Sequence, residues 1–145
     1  MLAMMGVLAG VDYLSKVYSS QQGSRQSFVE TVKDLCALDI DNAEALYQFR
    51  CALVHSVSLS TVSSSYRCGT KFTFEITNQA STPLIEKLCD DGKEAAYRIN
   101  FWELKRCFSN VIDILLAICM DINHPKNNHA VTMVGQLHSE KILKK

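Results

Sequence analysis

The segment Tyr47-Gln48-Phe49-Arg50-Cys51-Ala52-Leu53-Val54-His55-Ser56 holds the chain's clearest pairing of chemically able side chains. Histidine exchanges protons near neutral pH, and arginine is a permanent cation whose forked donors suit a phosphate. Set beside an RNA 2′-hydroxyl, the two could take its proton and steady the charge that builds at phosphorus. Ser56 and Ser58 follow closely and are candidates for binding that phosphate, although serines here also suit an ordinary helix end and strand start.

The spacing makes Arg50 unusual. With about 100° per residue, Arg50 falls about 40° from Leu46, inside the apolar arc that also holds Phe49, Leu53 and Val57. A guanidinium cannot shed its charge, so burial there demands an acceptor. A phosphate would serve, and so would helix carbonyls or a carboxylate such as Asp12, Glu103 or Asp113. His55 lies about 140° further round the helix. The pair can therefore meet only through the long arginine side chain, through distortion at the helix end, or across a dimer. His55 could instead interact with the carbonyls at the end of its helix.

Arg50, four residues, then His55 resembles the motif of the HEPN (higher eukaryotes and prokaryotes nucleotide-binding) superfamily, and the string LYQFRCALVHS is similar to the motif helix of its bacterial members. The resemblance implies a helical bundle, commonly a homodimer, with motif helices facing each other across the interface. It implies a metal-independent endoribonuclease acting on RNA, with Arg50 and His55 as the catalytic pair. A noncatalytic interaction or scaffold module is the alternative within the same resemblance, and an operon-encoded protein is an expected partner. Cys51 occupies the position after the arginine, where the family usually carries a polar residue, often Asn, that helps set the active geometry.

Other constellations are weaker. His124, His129 and His138 lack the spacing of a metal set, so no metal and no cofactor is expected. No cysteine can be tied to a histidine by spacing, and no glycine-rich phosphate loop is present. Tyr97, Arg98, Trp102, Lys105 and Arg106 interleave aromatic and basic groups, which can bind single strands. Packing is the better reading, because Phe101 and Trp102 open a core helix.

The six cysteines are widely spaced, and several fall in apolar helical patterns. They read as reduced thiols in a cytoplasmic protein. The apolar stretch from Met1 to Val11 has no preceding basic residue and is too short to span a membrane, so it reads as the start of a buried helix. The 145 residues carry 15 basic and 15 acidic side chains and are 48% apolar. This balance fits one globular domain over 1–145 and excludes a protein that grips nucleic acid along a broad basic face.

The elements that must position Arg50 and His55 follow from periodicity. Met4, Val7, Leu8, Val11, Leu14 and Tyr18 predict a helix over 2–19, and Phe28, Val32, Leu35 and Cys36 one over 25–38. The motif helix spans 42–56, with Asp41 and Glu44 as a capping box. Val57, Leu59 and Thr61, then Phe72, Phe74 and Ile76, alternate with polar residues and predict a β-hairpin within 57–77, with a serine-rich turn between. Pro83 predicts a short helix over 83–90, and 95–99 a brief strand. Asn100 caps a long helix whose apolar seam is Leu104, Phe108, Val111, Leu115, Ile118 and Ile122, stopped by His124-Pro125. A weaker helix over 130–143 ends in Lys141, Lys144 and Lys145. The expected architecture is mainly α: a small bundle of about four to five helices carrying a β-hairpin insertion.

Overall fold

A computed structural model describes residues 1–143, with side chains as far as Leu137. Five helices and a four-stranded sheet alternate in blocks. They are α1 (Leu2–Tyr18), α2 (Ser24–Leu35), α3 (Ile40–Ser56), β1 (Ser60–Val62), β2 (Lys71–Thr77), β3 (Ile85–Asp90), β4 (Glu94–Asn100), α4 (Phe101–Met120) and α5 (Asn127–Leu143). The molecule is thus a helix-rich mixed α/β structure and not a bundle with a simple hairpin. Lys144 and Lys145, and the side chains of His138 and Lys141, lie outside the described residues.

The expected hairpin is one corner of the sheet. β1 and β2 pair antiparallel, with Thr61 opposite Phe72. β2 then pairs parallel with β4, and β4 antiparallel with β3, in the order β1-β2-β4-β3. The helix expected over 83–90 is the edge strand β3. Turn chemistry after it overrides the helix-start signal of Pro83. Gly92 adopts φ +89°, Asp90 Oδ1 accepts from the Gly92 amide at 3.0 Å, and Asp91 Oδ1 accepts from Lys93 and Glu94 at 2.9 and 2.8 Å. This tight reversal hands the chain straight into β4, whose Ala95, Tyr97 and Ile99 alternate into the core.

Helix boundaries show which local signals prevail. The N-cap of α3 is Asp39, whose side chain accepts from the Asn42 amide at 2.8 Å, and not Asp41. Glu44 is drawn away from capping: it is buried and takes both Nε and Nη2 of Arg25. α4 opens as expected, with Asn100 Oδ1 accepting from Trp102 and Glu103 amides at 3.0 and 3.2 Å. It closes at Met120, short of Pro125, because Asn127 Nδ2 donates to the Ile118 and Cys119 carbonyls at 2.8 and 3.1 Å. Ile122 consequently leaves the seam and stands 85% exposed.

The core is built around α3 and the sheet. Leu46, Phe49 and Leu53 from α3 meet Phe28 and Val32 of α2, Phe72 of β2, Tyr97 of β4 and Leu104 of α4, all fully buried. Phe49 lies against Phe74 with ring centroids 5.1 Å apart. Burying each such aromatic contributes about 1.5–3 kcal/mol, enough to hold α3 in one register. α1 closes on α4 at Gly10, where a Cβ would stand 2.6 Å from the Phe108 ring. Asp12, also on α1, reaches Arg50 of α3.

The expectation of reduced thiols is overturned at one pair. Cys36, at the end of α2, and Cys107, on α4, form a disulfide, their Cα atoms 5.7 Å apart. α2 and α4 pack at this point, and Asn110 Nδ2 also donates to the Leu35 carbonyl at 2.9 Å. Cys51, Cys68, Cys89 and Cys119 are free. Among the described residues no helix is long and apolar enough to cross a membrane.

Candidate functional site

Arg50 and His55 meet within one chain. Arg50 points along α3 toward its C-terminal end, and Nη1 lies 3.1 Å from His55 Nε2. Four residues lie between the two along about 7.5 Å of helix, which the arginine side chain spans. The long side chain is therefore what closes the angular gap. A guanidinium only donates, so the contact places a lone pair on Nε2 and the ring proton on Nδ1. This is the form of the imidazole that can accept a proton.

The other side of the guanidinium is fixed by α1. Arg50 Nη2 donates to Asp12 Oδ2 at 2.9 Å, with the two side chains only 14% and 19% exposed. Asp12 is thus the acceptor that the apolar position of Arg50 demands. Burial pushes the guanidinium toward losing its proton, but the Asp12 carboxylate more than offsets this and holds its pKa above the ordinary arginine value. The Tyr47 ring lies under Arg50, 5.7 Å from the guanidinium carbon. Arg50 Nε and Asp12 Oδ1 are buried without a hydrogen-bond partner. The pair is therefore well aimed but incompletely satisfied, as at sites where geometry is held by surrounding structure.

His55 is exposed and opens onto a polar cleft of ≈ 450 Å³ between α2, α3 and the β1–β2 connection. Tyr47, Gln48 and Cys51 project into it from α3, and Ser64 and Ser65 close its far side. Cys51 sits within interaction range of both Tyr47 and Arg50. Ser56 is exposed outside the cleft lining. Ser58 is engaged in a local turn, its Oγ accepting from the Ser60 amide at 3.2 Å. Neither serine stands with His55 on the cleft. Gln48, Ser64 and Ser65 were not legible as site residues, because their convergence depends on how β1 leaves α3.

That exit is strained. Val57, expected to begin a strand, instead caps α3 in the left-handed region at φ 47°, ψ 44°. Its amide bonds the Leu53 carbonyl at 3.2 Å, and the Ser58 amide bonds that of Ala52 at 3.1 Å. A β-branched residue is disfavoured there, and the strain costs on the order of 1–3 kcal/mol. Val57→Gly, at a side chain 62% exposed, should therefore stabilise the protein by about 1 kcal/mol. Urea denaturation checks this, and a lower midpoint would refute it.

The remaining candidates fall apart spatially. His124 Nδ1 accepts from the Lys126 amide, and His129 Nε2 lies 3.2 Å from the Lys16 carbonyl. Among the described residues no His, Cys, Asp or Glu group could hold a metal. Tyr97 is core, whereas Arg98 pairs with Glu75 and Glu86 on the outer face of the sheet. Trp102, expected to pack, is 51% exposed with Lys105 Nζ 4.8 Å above its ring.

Comparison of the chain with protein-family models, with curated proteins and with solved structures finds no match.

Proposed function

We propose that the chain is an RNA-acting protein that cleaves the phosphodiester backbone with His55 and Arg50, as the resemblance of its α3 motif to HEPN ribonucleases implies. The observation that supports this best is the 3.1 Å contact between Arg50 Nη1 and His55 Nε2, held from behind by Asp12. A bound phosphate competes for Nη1 and releases the Nε2 lone pair. His55 then takes the 2′-hydroxyl proton as the 2′-oxygen attacks phosphorus. The bond to the 5′-oxygen breaks, and that oxygen is protonated from solvent. The products are a 2′,3′-cyclic phosphate and a 5′-hydroxyl, with Arg50 balancing the charge on the phosphorane. A second copy of the chain is the partner we propose, with Val54 and Val57, 36% and 62% exposed beside His55, at the contact. An operon-encoded protein is a further proposed partner, and the cytoplasm the proposed location.

The test is cleavage of a labelled RNA by purified protein, with light scattering for the dimer. Cyclic phosphate ends that require His55 support the proposal, and an inert protein refutes it.

A second reading has its own observation. The Arg50–Asp12 pair ties α3 to α1 through a largely buried contact, as a noncatalytic interaction module would need. Arg50→Ala and Asp12→Ala should each cost about 2 kcal/mol, because each leaves a partly buried charge unpaired. The double variant should lose less than the sum, with about 1–2 kcal/mol of coupling in a thermodynamic cycle. Coupling near zero would show that the pair is not a clamp.

A further inference from the structure

Gln48 is a buried cleft residue that the Arg50–His55 chemistry does not use. It is 3% exposed, yet no hydrogen bond within the described structure reaches its side-chain amide. Arg50 Nε and Asp12 Oδ1 are sealed from any ligand, whereas Gln48 lines the open ≈ 450 Å³ cleft. The amide oxygen and nitrogen of Gln48, unlike those two atoms, keep contact with the cleft, so a ligand there can take up their hydrogen-bonding capacity.

The surroundings restrict what that can be. The cation at the cleft, Arg25, has both Nε and Nη2 committed to Glu44, so this end is charge-balanced and is not an anion hole. The Tyr47 ring forms one wall, and the exposed hydroxyls of Ser64 and Ser65 face it from the loop. A neutral, aromatic-walled slot with a donor–acceptor amide inside fits a nucleobase and not a phosphate. A carboxamide presents one acceptor and one donor side by side; adenine and cytosine both match it with an amino group and a ring nitrogen, and the larger purine face of adenine stacks better on the Tyr47 wall.

We propose that this cleft holds one unpaired adenine of the RNA, read by Gln48, and so places the neighbouring phosphodiester at His55. The proposal rests on the RNA-acting reading above, but its test is separate. Adenosine, cytidine, guanosine and uridine 5′-monophosphates are titrated into isotope-labelled protein, and the Gln48 side-chain amide signals are followed by NMR. The expected result is that adenosine monophosphate moves those signals and binds at least about tenfold more tightly than the others. Gln48→Leu should abolish the preference. Gln48→Glu, nearly isosteric, loses the donor and should shift preference toward guanosine, whose ring N–H and amino group both donate to a carboxylate.

Equal binding of all four nucleotides, shifts confined to other residues, or no binding at millimolar concentration would overturn the adenine site. RNA cleavage that needs His55 but ignores base identity would overturn it too, and would leave the ribonuclease reading standing. Adenosine monophosphate bound at Gln48 by a protein that cleaves no RNA would support the site and remove the nuclease.

Discussion

His55→Ala should lower RNA cleavage about 10²–10⁴-fold, the range supplied by a positioned proton acceptor. It should leave stability within about 0.5 kcal/mol, because His55 is exposed and its main partner, Arg50, keeps Asp12. This contrast makes the variant informative. A loss of cleavage with an unchanged unfolding curve assigns the loss to chemistry. Arg50→Ala cannot separate the two, since it also breaks the link to α1. Arg50→Lys is a useful companion, because a single ammonium cannot reproduce a fork that reaches Asp12 on one side and His55 on the other. Cleavage by His55→Ala at the wild-type rate would remove histidine from the mechanism.

Breaking the Cys36–Cys107 bridge carries the largest expected effect on stability. The bridge closes a loop with a sequence separation of 71 residues. The chain entropy of such a loop corresponds to about 4 kcal/mol in the unfolded state. Cys36→Ser and Cys107→Ser should each destabilise by about that amount, read from urea midpoints without reductant. Mass spectrometry after thiol alkylation in denaturant gives an independent check. Unreduced protein should take up labels only at the four free cysteines, Cys51, Cys68, Cys89 and Cys119. Labelling of all six would restore the reduced state expected from their wide spacing. The bridge also bears on the cleft, because it anchors the far end of the helix whose first turn carries Arg25.

The helices were largely legible because each announces itself locally. The seam of α4 and the apolar face of α2 recur every three or four residues, the Asn100 cap lies next to the helix it starts, and no distant partner is needed to recognise them. The paired strands were harder. Phe72, Phe74 and Ile76 alternate clearly, but Ile85–Asp90 lacks a repeating face, because edge strand β3 buries only Ile85. Its identity comes from pairing with β4, a contact that no window of neighbouring residues contains. The same holds for the disulfide, where composition and spacing favoured free thiols and only the packing of α2 on α4 brings Cys36 to Cys107.

The site divides along the same line. The sequence by itself determined that an arginine stands in an apolar arc and needs an acceptor, and that a histidine follows it near the helix end. These are consequences of helical geometry and of a charge that cannot be shed. Only the tertiary structure decided which acceptor, since Asp12 on α1 reaches Arg50 across 38 residues of sequence. It also decided that the long arginine side chain joins His55 inside one chain, and that Gln48, buried on α3, opens into a cleft completed by the β1–β2 loop. Local pattern carries the periodic energy of helices, whereas a site is made where elements distant in sequence converge.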